Sequence, residues 1–138
     1  MIEEATPIDT PRHNFKNYNE ARQWAKQNIV GCYKNNCTSM HITISKTAID
    51  KYLSASAVLK SVSKDAHLSV LRVLPQVIVV ATLKESQEDR DGNREIKGIL
   101  RFYAAINYQN EAYPVKITVK AYSAGINKAY SYEVIKTR

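Results

Sequence analysis

From Leu83 onward the apolar residues of this chain return at every second position, a period that a half-buried β-strand satisfies and a helix does not. Residues 96–108 and 113–122 read as two long strands, and 130–136 as a third. Asp91-Gly92-Asn93 is a hairpin-turn sequence before them, and Gly125 with Asn127 marks the last turn. Taking Asn110 and Glu111 as the turn between the long strands sets Gln109 against Ala112. Phe102 then faces Val119, Ala104 faces Ile117 and Ile106 faces Val115, all apolar and all on one side. The other side pairs Arg101 with Lys120, Tyr103 with Thr118 and Ala105 with Lys116. A slip of one residue would mix the two sets, so the pattern itself supports this register.

The residues before this sheet carry helical signals. Asn17 caps a helix, with Glu20 three positions on, and Ala21, Trp24, Ala25 and Ile29 fall on one face before Gly31 supplies a stop. A polar turn through Asn35-Asn36 leads to a short alternating run, His41 to Ile44. Ser45 caps a second helix with the stripe Ala48, Ile49, Tyr52 and Leu53, and the serine-rich stretch 54–63 reads as a connection. A third helix starts near Ser63, with Ala66, Val70, Leu71 and Leu74 inward, and Pro75 kinks or restarts it. Residues 77–81 are read as its continuation although Val77, Ile78, Val79 and Val80 are β-branched. Helices followed by strands predict an α+β fold, with N-terminal helices packed on one face of a C-terminal three- to four-stranded antiparallel β-meander. The 138 residues fit a single domain: a loose arm over 1–14, a mainly helical part over 15–82 and the sheet over 83–138.

Composition narrows the class. With 44% hydrophobic and 24% charged residues the chain is globular. No apolar run approaches the ~20 residues of a membrane helix, and the first residues lack the apolar core of a signal peptide. A cytoplasmic protein without membrane contact is expected. Cys32 and Cys37 form a lone C-x4-C, and even with His41 nearby they fall short of a zinc-ligand set, so free thiols and no metal or cofactor are expected. The net charge is +7, and residues 96–138 hold seven cations against two acids. Such a bias steers phosphates or acidic partners toward the C-terminal half, and it also serves plain solubility.

Any half-exposed antiparallel sheet needs a polar face, so lysine and threonine there are ordinary. Placing Arg101 across from Lys120 is less so, because like charges opposed on a ladder destabilise it unless an anion compensates. Tyr103 and Tyr122 share that face, and cations interleaved with aromatics suit a phosphate backbone with bases stacked beside it.

The runs ARQWAKQNIVGCY, HITISKTAI, LKESQEDRDGN and IKGILRFYAAINYQNEAYPVKITVKAY resemble the small domains attached to large polyvalent proteins of phages and conjugative elements. These are grouped with nucleases of the barnase–EndoU–colicin–RelE type, and the similarity spans about residues 19–135. It implies helices on a four-stranded antiparallel sheet and metal-independent RNA cleavage. A base would deprotonate a ribose 2′-hydroxyl, cations would stabilise the attacked phosphate and an acid would protonate the leaving oxygen. Under that reading Arg101, Lys120, Tyr103 and Thr118 form the catalytic row, and Lys116, Tyr122 and Lys97 bind nucleic acid. No histidine or carboxylate base falls on this face; His41, His67, Glu85 and Glu88 are the candidates, each with a plain surface role as the alternative. The other readings are a non-catalytic module binding nucleic acid or an acidic protein partner, such as an immunity protein, and a structural accessory of phage or conjugation machinery. The oligomeric state is unspecified by the sequence.

Overall fold

The computed structural model describes residues 6–88 and 96–136. In chain order the elements are β1 (Ile8–Asp9), α1 (Tyr18–Asn28), β2 (Gly31–Lys34), β3 (His41–Ile44), α2 (Lys46–Tyr52), α3 (Ala55–Lys60), α4 (Lys64–Val80), β4 (Thr82–Glu88), β5 (Ile96–Tyr108), β6 (Glu111–Tyr122) and β7 (Asn127–Val134). The proposed turn Asp91-Gly92-Asn93 lies outside the described residues.

Side-chain oxygens of Asn17, Ser45, Ser54 and Ser63 each accept from the amide three residues on, at Glu20, Ala48, Ala57 and Ala66. Each such cap contributes about 1 kcal/mol by satisfying an otherwise orphan N–H. α4 runs through Pro75 to Val80. Burial of Leu71, Leu74, Val77 and Ile78 along it outweighs the weak helix preference of its β-branched residues. The serine-rich stretch contains α3 as well as a connection.

The sheet departs from the expected architecture. It is one seven-stranded mixed sheet in the order β1-β5-β6-β7-β3-β2, with β4 also paired to β5, rather than a C-terminal antiparallel meander of three or four strands. β3 runs parallel to β7 and β1 parallel to β5, while β4, β5, β6 and β7 pair antiparallel in succession. The helices lie in the middle of the chain, between β1 and β4, with β2 and β3 set among them. Strands of two to four residues are too short to show a period, and parallel partners are distant in sequence; both therefore escape a local reading. Within the stretch expected to be a loose arm, Ile8 and Asp9 pair with Ile106 and Asn107, and the Thr10 amide donates to the Asn107 carbonyl at 2.9 Å.

The β5–β6 hairpin turns at Gln109 and Asn110, whose φ angles are 50° and 66°. Both central residues of a tight hairpin turn adopt the left-handed region, which Asn tolerates better than Glu does. The pairing therefore sits two residues away from the expected one: Tyr108 faces Glu111, Phe102 faces Ile117 and Ala104 faces Val115. A two-residue shift keeps every side chain on its face. Phe102, Ile106, Val115, Ile117 and Val119 are accordingly buried against Leu71, Leu74 and Ile78 of α4 in one core cluster. It changes the opposed pairs, however. Arg101 stands opposite Thr118, Tyr103 opposite Lys116 and Lys120 opposite Ile99, so the expected Arg101–Lys120 like-charge pair does not form.

Candidate nucleic-acid interface

Two rows of side chains cross the outer face of the sheet. The first runs Glu85, Arg101, Thr118, Ser131 over β4 to β7, and the second Thr82, Tyr103, Lys116, Glu133. Beyond Lys128 β3 no longer pairs with β7, and the segment around α2 and α3 covers the edge of β7 instead. The Tyr52 hydroxyl donates to the Ala129 carbonyl, the Val62 amide donates to the Val134 carbonyl, and Ser61 Oγ accepts from the Val134 amide. Covering the edge this way satisfies its free backbone groups. It also raises a wall beside the polar rows.

Between wall and sheet lies a cleft of about 390 Å³. Lys51, Ser54, Ser56 and Lys60 come from the wall; Arg101, Lys116, Thr118, Tyr130, Ser131 and Glu133 come from the sheet. Tyr130 owes its place to an irregularity. Between Thr118 and Val119 the β6–β7 register shifts, Thr118 facing Ser131 and Val119 facing Ala129. Tyr130 is the extra residue of that bulge. Simple alternation from Tyr132 and Val134 would bury Tyr130, but the bulge turns it out to 36% exposure.

Among the described residues, four cations thus meet one carboxylate in the cleft. Lys116 Nζ lies 3.6 Å from Glu133 Oε1. Arg101 Nη1 donates to Gln87 Oε1 at 3.3 Å and is 3.9 Å from Glu85 Oε2. Lys51 and Lys60 make no ion pair among the described residues. Lys120 Nζ sits 3.6 Å from the Tyr130 ring centre and Lys51 Nζ 4.6 Å from it. Clustered cations with hydroxyls between them offer donors of the kind that phosphate oxygens accept from.

Of the residues singled out in the sequence, Arg101, Lys116 and Thr118 line the cleft. Lys120 reaches its edge through Tyr130 and faces Lys128 across the β6–β7 ladder. Tyr103 lies beside it but donates its hydroxyl to Glu85 Oε1 at 3.0 Å. Partial burial first, and then that bond to Glu85, raise the Tyr103 pKa. Tyr122 stacks under Lys128 Nζ at 5.2 Å, and Lys97 is the bulged residue between Ile96 and Gly98 at the start of β5; neither is a lining residue. Lys51, Lys60, Tyr130, Ser131 and Glu133 are additions; Ser131 and Glu133 follow from alternation along β7, whereas Lys51, Lys60 and Tyr130 do not.

The candidate bases separate in space. His67 is fully buried rather than on the surface. Its Nδ1 is 2.6 Å from Ser61 Oγ, its Nε2 is 2.8 Å from the Tyr52 carbonyl, and its ring stacks on Tyr132. Burial lowers its pKa to about 4, against a smaller raising contribution from the Tyr52 carbonyl. His41 is exposed on β3 and Glu88 is exposed on β4. Glu85 engages Tyr103 and Arg101, not the lysines beside it in sequence. Glu133 is the carboxylate that lines the cleft. Cys32 and Cys37 are exposed free thiols. Among the described residues no group of three or more metal-ligating side chains forms, and no helix is long and apolar enough to cross a membrane.

Comparison with curated proteins found no match, and neither did comparison with solved structures. The family description of large polyvalent protein-associated domain 3 matches residues 2–130, nearly the whole chain, and carries the association with polyvalent proteins without the nuclease grouping. The chain therefore belongs to the large polyvalent protein-associated domain 3 family, a domain associated with phages and mobile genetic elements.

Proposed function

We propose that this domain binds RNA through the phosphates of its backbone, in the cleft between α3 and the outer face of β5, β6 and β7. The convergence of Lys51, Lys60, Arg101 and Lys116 on one cleft carries this reading. Among the described residues Glu133 alone offsets them within the cleft, with Glu85 beside Arg101 at its side, so the cleft holds an excess of positive charge. Salt titration of RNA affinity is the test, because cations that neutralise phosphates release counterions. Replacing Arg101 and Lys116 together by alanine flattens the slope of log affinity against log salt by about 1.4 for a single strand. A wild-type protein with no RNA affinity at low salt sinks the reading and leaves an acidic protein as the partner.

A second reading, cleavage, is favoured by one observation: Glu133 lies among those cations, beside Lys116. Its carboxylate takes the proton of a ribose 2′-hydroxyl, and the freed oxygen bonds to the adjacent phosphorus. Arg101 and Lys116 stabilise the added negative charge. The bond from phosphorus to the 5′ oxygen breaks, and a cleft ammonium gives that oxygen a proton. The products are a 2′,3′-cyclic phosphate and a free 5′-hydroxyl, with no redox partner required.

A further inference from the structure

The shape of the cleft bears on which form of nucleic acid enters it. We infer that the site takes a single strand and rejects a duplex, an inference that rests on the phosphate-binding reading above. Arg101 and Lys116 lie on the floor, with each side chain only 29% exposed. Lys51 and Lys60 stand on the wall beside them. Proteins that read a duplex insert a projecting element into a groove or track phosphates across an open surface. A recessed floor offers neither arrangement, because duplex phosphates ride on a stiff cylinder whose second strand meets the wall first. A single strand bends, and its phosphates reach the floor one at a time. The volume of about 390 Å³ is at the small end for a ligand site and suits a nucleotide unit better than a base pair.

Tyr130 supplies the second ingredient. Sites for single strands combine a cationic groove with an aromatic ring on which a base stacks. The bulge brings Tyr130 to the lining and leaves it exposed, although its neighbours Ala129 and Tyr132 are buried. Lys51 is the more distant of the two ammonium groups over this ring, at 4.6 Å. A cation–π contact at an exposed site is weaker than base stacking, so a base that stacks on the ring displaces Lys51, the more distant ammonium. Lys51 is then free to meet the phosphate next to that base.

Fluorescence anisotropy with the full chain tests this, using a labelled 2′-O-methyl RNA 12-mer that cannot be cut by its own 2′ oxygens. The same oligonucleotide is measured alone and annealed to its complement, at one low salt concentration. The expected result is binding of the single strand about tenfold or more tighter than the duplex, with the margin kept in Tyr130→Phe and reduced in Tyr130→Ala. Duplex binding as tight as that of the single strand overturns the inference and leaves the phosphate-binding reading standing. No binding of either probe overturns both. A margin that survives intact in Tyr130→Ala overturns the stacking role of the ring.

Discussion

The Tyr103 hydroxyl donates to Glu85 Oε1 at 3.0 Å, tying the central strand β5 to β4, while the other carboxylate oxygen of Glu85 lies 3.9 Å from Arg101. Glu85 therefore draws Arg101 toward β4 and offsets part of its charge at the side of the cleft. Glu85→Gln keeps an acceptor for Tyr103 and removes the charge. Because such half-exposed pairs are worth about 0.2–1 kcal/mol, RNA affinity at low salt should rise about 1.4- to fivefold. Unchanged or weaker binding in Glu85→Gln would show that Glu85 does not oppose the ligand.

If RNA is cut by the route through Glu133, the reaction should proceed in chelator, because among the described residues the cleft offers lysine, arginine and a single carboxylate where a metal enzyme gathers several hard ligands. Labelled RNA should end in a cyclic phosphate, and DNA, lacking the 2′-hydroxyl, should survive. Glu133→Gln removes the base and should slow turnover by about 10²- to 10⁴-fold with little loss of affinity. Arg101→Ala should depress turnover more than affinity, since its charge matters most as the phosphate gains negative charge. A requirement for added metal, or full activity in Glu133→Gln, excludes this chemistry.

The faces of the long strands were legible in the sequence because burial obeys a period of two, and a two-residue error leaves that parity intact. The pairing was not legible, since it turns on whether Gln109-Asn110 or Asn110-Glu111 takes the left-handed φ angles. The same limit applies to the site. Arg101, Lys116 and Thr118 follow from alternation alone. Lys51 and Lys60 enter only because α2 and α3 fold along the edge of β7, a contact between residues far apart in sequence. Tyr130 was hidden by a bulge that inverts its expected direction. The caps at Asn17 and Ser45, and the helix start near Ser63, were readable because capping is a local matter within one helical turn.

Stability should fall with acid in a window set by His67. Burial lowers its folded pKa from 6.5 to about 4, so the native ring stays neutral where the unfolded ring takes up a proton. The tautomer fits that state: Ser61 Oγ already accepts from the Val134 amide and can give its proton to Nδ1, while Nε2 faces the Tyr52 carbonyl. The group costs nothing above pH 6.5, and stability is lost as pH falls from there toward 4. Between pH 7 and pH 5 this amounts to about 2 kcal/mol. Urea unfolding at the two values measures it, and His67→Gln should remove most of the difference. An equal loss in that variant would assign the effect to other groups.

Asn35 gives the most severe single substitution. It is fully buried, and its Nδ2 donates to the carbonyls of Ile78 at 2.7 Å and Ala81 at 2.8 Å, closing the C-terminal end of α4. Its Oδ1 accepts from the amide and hydroxyl of Thr38, both at 2.9 Å, which fixes the turn between β2 and β3. One amide side chain therefore joins the helix end to the hairpin, using two donors and an acceptor that only Asn combines at this length. Asn35→Asp keeps the size but sets a carboxylate oxygen against two carbonyl oxygens that lose their donor. Leaving buried groups unsatisfied costs ~1–3 kcal/mol each, more for a charged one, so the substitution should remove about 3 kcal/mol or more at pH 7. Part of that loss should return in mild acid, where the introduced carboxyl takes up a proton and donates it to one of the two carbonyls. Denaturant titration of wild type and Asn35→Asp at both pH values measures the difference, with the wild-type change subtracted. A loss under about 1 kcal/mol at pH 7 would mean that packing and the hydrogen bond from the Asn36 amide to the Val79 carbonyl hold α4 to the hairpin without it.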